Sequence, residues 1–208
     1  MIIAVDGPMA SGKGTIARAL AARLGLPYLD TGTLYRATAL AVLDAGHSPD
    51  DEGAAEAAAM ALEPGRIDGD RIRTAAAGAA ASRVAALPRV RAALFELQRR
   101  FAARPGGAIL DGRDIGTVIC PDADVKLFVT ASPETRAERR RKELQQRGET
   151  VTYEEILAQT FERDARDAGR GDAPMRAADD AILLDTSSLS IDAAVTQAFE
   201  IVENRQKA

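Results

Sequence analysis

Between a short apolar run and a helical pattern lies Gly7-Pro8-Met9-Ala10-Ser11-Gly12-Lys13-Gly14-Thr15. No other feature of the chain constrains its fold as much. Glycines let a backbone wrap an anion with several N–H groups turned inward. The start of a following helix adds its dipole, and a lysine adds a full charge. Such a loop works only if a strand delivers it and a helix leaves it. Ile2–Asp6 reads as a buried strand. Lys13–Leu24 reads as a helix, with Ile16, Leu20 and Leu24 at four-residue spacing and Gly25 suited to the left-handed position after it. In one respect the loop departs from the generic pattern. Gly14, not Ser or Thr, follows Lys13, and the hydroxyl arrives one place later at Thr15. A direct Ser/Thr hold on Mg²⁺ is correspondingly less secure.

The rest of the chain alternates short apolar runs with helical stretches, the pattern of an α/β protein built on a parallel sheet. Further strands are expected at 27–29, 108–111, 125–130 and 181–184. Helices are expected at 32–45, 82–102 with a break at Pro88, 132–146, 152–168 and from Ser190 onward. The segment 48–81 is Ala-rich and charged, with turn signals at Asp68-Gly69-Asp70. Its weak periodicity suggests a mobile surface segment or a small insert. The expected fold is therefore a five-stranded parallel sheet flanked by helices, in a single domain over 1–208. Its core would take about 1–45, 82–144 and 170–208, with 46–81 as a separate segment and a lid near 145–154, where Gly148 interrupts the helices.

Composition narrows the chemistry. With 27 basic and 31 acidic residues the net charge is −4, which argues against a chain that coats nucleic acid or an anionic membrane. Single Cys and His residues exclude an internal disulfide and a cysteine-based zinc cluster, and leave little for a His-based triad. The first apolar run stops at Asp6, and no run reaches the ~18 residues of a membrane span. A soluble, cytoplasmic protein is expected.

Three more polar clusters follow predicted strands or share a helix face. Asp30-Thr31-Gly32-Thr33-Leu34-Tyr35-Arg36 opens a helix and could hold a second anion, or simply cap the helix. Asp111-Gly112-Arg113-Asp114 lies at the carboxyl end of a strand, where parallel sheets bind ligands. There Asp111 suits Mg²⁺, Arg113 suits a phosphate through its forked donors, and Asp114 is left for a base or sugar. The plainer alternative is a charged turn closed by internal ion pairs. Arg163, Arg166, Asp167 and Arg170 share one helical face with net positive charge. Arg136 and Arg140 repeat the spacing on the preceding helix, with Arg139 and Arg141 interleaved. The chain has 23 Arg against 4 Lys, so an isolated arginine says little.

Taken together, these motifs resemble the bacterial cytidylate kinases, within the nucleoside monophosphate kinase family. The resemblance covers most of the chain. Its carriers are GPMASGKGT (7–15), LDTGTLYR (29–36), SRVAALPRVR (82–91), LDGRDIGTVICPDADVKLF (110–128), ERDARDAGR (162–170) and LLDTSSLSI (183–191). Gly-Lys-Gly-Thr is the form of the loop in nucleotide monophosphate kinases. The resemblance implies that Arg36, Arg113 and Arg170 hold the CMP phosphate. Ser82, Arg91 and Asp114 read the cytosine edge, Arg163 and Asp167 hold the ribose hydroxyls, and Thr31 and Tyr35 line the acceptor pocket. Thr31 stands where relatives commonly have Ser. Many relatives also carry a small β-sheet insert after the position of Met60, whereas here only about 64–73 remains.

The implied reaction moves the γ-phosphoryl group of ATP to CMP or dCMP. Residues 7–15 with Arg136 and Arg140 would bind ATP, and Lys13, Arg113, Arg166 and Arg170 would stabilise the transferring group. Thr15 and Asp111 would hold Mg²⁺, partly through water. ATP and CMP or dCMP are the expected partners, without nucleic acid or membrane, and a monomer is expected. The alternatives are a kinase for another small acceptor (UMP, AMP, dTMP or shikimate) and a GTP-dependent switch. The switch would need Asn-Lys-x-Asp, which the chain lacks.

Overall fold

The computed structural model describes residues 1–207. The strands are β1 (Ile2–Asp6), β2 (Tyr28–Asp30), β3 (Ala108–Gly112), β4 (Val125–Thr130) and β5 (Ile182–Asp185). They form one parallel sheet in the order β2-β3-β1-β4-β5. Helices are α1 (Lys13–Leu24), α2 (Thr31–Asp44), α3 (Glu52–Met60), α4 (Ala75–Val84), α5 (Pro88–Ala102), α6 (Pro133–Gln146), α7 (Tyr153–Ala168) and α8 (Ile191–Lys207).

The chain separates into two compact units, Met1–Leu29 with everything from Phe101 onward, and Asp30–Arg100. In the larger unit, β1 lies between β3 and β4, with Ile3 opposite Ile109 on one side and Val125 on the other. Covered on both faces, these strands are continuous apolar runs without alternation. Ile3, Val5, Ile16, Leu20, Ile109, Leu127 and Val129 form the core with Ala194, Ala198 and Val202 of α8. From β1 the chain turns one way to β2 and later the other way to β4 and β5. The carboxyl end of β1 is therefore the switch point at which such sheets bind ligands.

Caps set the helix starts. Ser132 accepts from the Thr135 N–H at 3.2 Å, and Thr152 forms a reciprocal capping box with Glu155. Pro88 opens α5, so the expected break divides two helices rather than kinking one.

In the smaller unit the structure adds secondary structure that the sequence reading of 48–81 did not assign. Much of that segment is helical, with Asp51 capping α3 through the Ala54 N–H and Thr74 capping α4 through the Ala77 N–H. Alanine is the strongest helix former, and its small side chain packs closely while leaving little trace in a hydrophobic pattern. The linking residues hold two single 3₁₀ turns, Pro64–Arg66 and Arg71–Arg73, and no strand is assigned between them.

Candidate active site

The loop after β1 is built from backbone conformations that ordinary residues avoid. Gly7 has φ 149°, Ala10 φ 58° and Gly12 φ 93°. A Cβ on Gly7 would fall 1.9 Å from the Val129 carbonyl oxygen, so only glycine fits that approach. No side chain caps α1, and its first turn carries no acidic residue. An uncapped helix start with a left-handed Gly12 before it and Lys13 at its first position is an anion site made by the chain itself.

Around this loop the larger unit gathers several of the predicted residues. Arg136 is 3% exposed. Its Nε donates to the Ala131 carbonyl (2.9 Å), and Nη1 reaches the Met9 carbonyl (3.4 Å) and Asp164 Oδ1 (3.0 Å). Arg140 pairs with Glu143 at 2.8 Å, and Arg166 pairs with Glu162 at 2.8 Å on its own helix. Arg139, read from sequence as one of the interleaved arginines, lies against the loop. Its Nη1 donates to Ser11 O at 3.4 Å and Thr186 Oγ1 at 3.0 Å, and its Nη2 donates to Thr186 O at 2.7 Å. Thr186 in turn donates its hydroxyl to Ser11 O at 2.8 Å. Sequence reasoning left Arg139 undecided among its arginine neighbours and did not single out Thr186. The position of Thr186, just beyond the carboxyl end of β5, was the available signal. Arg139 offered none, because its neighbours are arginines too. Gly12, Thr15, Ile16, Arg139, Leu189 and Ile191 line a pocket of about 340 Å³ beside the loop. A largely apolar wall with one cation next to a phosphate cradle has the character of a nucleotide-base site.

Asp167 is the hub of a second cluster in this unit. Asp167 is 3% exposed, and its carboxylate accepts from Arg113 Nε at 3.0 Å, with Arg163 Nε at 3.8 Å. Arg170 Nε donates to the Asp167 backbone carbonyl at 3.2 Å. Burial alone would raise the Asp167 pKa, but Arg113, Arg163 and Arg170 outweigh it and hold the carboxyl below its ordinary value. Arg163 also reaches the Met9 sulfur at 3.5 Å. Asp114 is buried just past β3 and opens a π-helical turn, Ile115–Ile119, that the sequence did not reveal. Such turns are frequent at functional sites.

Within the smaller unit, Thr31, Tyr35, Ser82 and Arg91 are buried. Arg91 Nη1 lies 3.5 Å from the Tyr35 hydroxyl, and Arg36 Nη1 donates to the Ile72 carbonyl at 3.0 Å.

The residues at the loop fit a hard, oxygen-seeking cation. Asp111 is 2% exposed, and its Oδ1 accepts from the Tyr28 hydroxyl at 3.2 Å. Its Oδ2 lies 3.2 Å from where a Cβ on Gly14 would sit, so the missing side chain leaves room between the carboxylate and the first turn of α1. Thr15 is exposed on that turn. No group of three or more His, Cys, Asp or Glu gathers among the described residues, so an ion here would take most of its remaining ligands from phosphate and water.

Asp6, missed at the sequence level as a polar group of consequence, has its pKa raised to about 6 by burial, against the lowering effect of the Gly116 and Ile115 amides. A carboxyl that titrates higher in the folded state than its ordinary 3.8 binds more protons folded than unfolded. Its contribution is therefore full below the ordinary value and falls as pH rises through about 6. Unfolding by denaturant should show wild type losing up to about 3 kcal/mol relative to Asp6→Asn between pH 4 and 6. Parallel pH curves for the two proteins would contradict this.

The sheet order, the strand–loop–helix at its switch point and the arginine-bearing helices beside it define a P-loop protein of the kinase type. A sequence model of the cytidylate kinase family matches residues 3–204. The cytidylate kinase of Methylocella silvestris is 59% identical over 98% of this chain and 94% of its own length. That of Xanthobacter autotrophicus is 60% identical over 99% of both. That of Methylobacterium sp. is 65% identical over 87% of this chain and 86% of its own. The chain belongs to the cytidylate kinase family. Two solved structures share the fold at low identity. One is an uncharacterized protein from Eubacterium ventriosum (TM-score 0.56, 16% identity, covering 100% of this chain and 99% of that one). The other is a gluconokinase from Sinorhizobium meliloti (TM-score 0.52, 15% identity, covering 99% and 93%). No helix among the described residues is long and apolar enough to cross a membrane.

Proposed function

We infer that the chain transfers the γ-phosphoryl group of ATP to CMP or dCMP, giving ADP and CDP or dCDP. The observation that carries this reading is the uncapped phosphate loop at the switch point of the sheet, in a chain of the cytidylate kinase family. The attacking oxygen belongs to the acceptor's phosphate, which is already anionic near pH 7, so no strong general base is needed. The one histidine, His47, is half exposed and lies against Asp51, consistent with a site that does not use it. Catalysis is then alignment and charge neutralisation.

Residues 7–15 hold the donor phosphates, with Lys13 as their charge partner, and Arg139 stands beside the loop as a further donor-side group. Asp111 and Thr15 would hold Mg²⁺, partly through water, and the bound ion would supply positive charge to offset the negative charge that develops in transfer. Arg36, Arg113 and Arg170 bind the acceptor phosphate. Ser82, Arg91 and Asp114 read cytosine, where Asp114 accepts from the N4 amino group and the other two donate to O2 and N3. Arg163 and Asp167 serve the ribose, and Thr31 and Tyr35 line the acceptor pocket. Residues 145–154, spanning the junction of α6 and α7, act as a lid that excludes water and limits ATP hydrolysis. We read the working enzyme as a cytoplasmic monomer that uses neither nucleic acid nor membrane.

An acceptor panel tests the reading. With ATP and Mg²⁺, ADP release should be fast with CMP or dCMP and slow with UMP, AMP, dTMP and shikimate. Faster turnover of any of the last four would replace the proposed acceptor.

A further inference from the structure

Asp6 ends β1 one residue before the phosphate loop, yet its 5%-exposed side chain turns to another strand's loop. Oδ1 accepts from the Ile115 N–H at 2.8 Å and Oδ2 from the Gly116 N–H at 2.7 Å. A carboxylate this short is suited to take two neighbouring amides at once, because both of its oxygens accept. The parallel register also pairs Asp6 with Gly112, the last residue of β3. Arg113 and Asp114 therefore span two fixed points, Gly112 held by the sheet and Ile115-Gly116 held by Asp6. Asp114 itself, at φ −145° and ψ 22°, sits in neither a strand nor a helix conformation. Behind the turn the aliphatic stem of Lys126 closes the space. A Cβ on Gly116 would meet Lys126 Cδ at 3.2 Å and Asp6 Oδ2 at 3.4 Å.

We propose that Asp6 is a positioning residue for acceptor-base selectivity, clamping the turn that aims Asp114. This rests on the reading of Asp114 as the group that accepts from the cytosine amino group. Asp6 touches no substrate and acts through Asp114, so its loss should change which base is preferred as well as how stable the protein is.

The test measures kcat/KM for CMP and UMP in wild type, Asp114→Ala, Asp6→Asn and the double mutant. An asparagine keeps one acceptor and turns an NH₂ toward the other amide. Asp6→Asn should lower kcat/KM for CMP by about tenfold or more, mainly through the CMP KM, with the ATP KM changed by less than about twofold. The CMP-over-UMP preference should fall, and the double mutant should be no less selective than Asp114→Ala alone. An unchanged preference in Asp6→Asn, while Asp114→Ala loses it, overturns the positioning role and leaves the base reading intact. An unchanged preference in Asp114→Ala overturns the base reading and the clamp's purpose with it. Should Asp6→Asn fail to fold, Gly116→Ala presses the same clamp from the turn side. It should show the same loss of preference, and a wild-type preference there also overturns the proposal.

Discussion

Lys13→Ala should nearly abolish turnover while the protein remains folded. Lys13 is the first residue of α1, partly exposed, with Gly12 in the left-handed conformation before it and no acidic residue in the first turn of its helix. None of the apolar core depends on its ammonium group, and the burial that organises α1 comes from Ile16, Ala17, Leu20 and Ala21. Removing the charge takes away a contact that strengthens as negative charge gathers on the transferring oxygens. Such a contact contributes several kcal/mol, and each factor of ten in rate corresponds to about 1.4 kcal/mol. Steady-state rates should therefore fall by at least about a hundredfold, with circular dichroism and the thermal midpoint close to wild type. A variant keeping more than about a tenth of the wild-type rate would remove Lys13 from the phosphate-binding role.

The phosphate loop and its flanks were legible because strand, turn and helix there each have a strong local cause. Ile2–Asp6 and Lys13–Leu24 fall where the apolar run, the glycines and the four-residue spacing put them. Val125–Thr130 and the capped start of α6 follow in the same way. The Ala-rich segment was illegible for a physical reason. Alanine favours the helix through backbone and side-chain entropy, which a search for apolar periodicity does not register. The π-turn at Ile115–Ile119 was hidden because nothing local specifies it. Asp6, distant in sequence, supplies acceptors for two of its amides. Arginine roles were the hardest to read, since the spacing of Arg136, Arg139 and Arg140 cannot tell one from another. Their partners do: Asp164 for Arg136, Glu143 for Arg140, and Ser11 with Thr186 for Arg139. Glu143 lies one turn along the same helix, but the partners of Arg136 and Arg139 lie on other elements, and the helix pattern carries no record of those.

Asp167→Ala should reduce turnover with both CMP and dCMP, and reduce it further for CMP. Two roles meet in this carboxylate. It holds Arg113 through a 3.0 Å contact in which the Arg113 side chain is 16% and that of Asp167 4% exposed. Breaking a pair so nearly buried leaves a guanidinium without its counter-charge, a loss on the order of 3–5 kcal/mol when burial is complete and less here. That loss would misplace Arg113 and fall equally on the two acceptors. The second role is toward the sugar. Arg163 lies 3.8 Å away on the same helix face, and the pair is proposed to hold the ribose hydroxyls. If the carboxylate accepts from the 2′-OH, dCMP lacks that donor already, and only CMP has it to lose, worth about 1–3 kcal/mol. The ratio of kcat/KM for CMP to that for dCMP should therefore fall by about fivefold to a hundredfold in the mutant, on top of a common decrease. Kinetics with both nucleotides on the single mutant decide between the roles. A parallel loss for CMP and dCMP would leave Asp167 as the holder of Arg113 and remove it from the ribose.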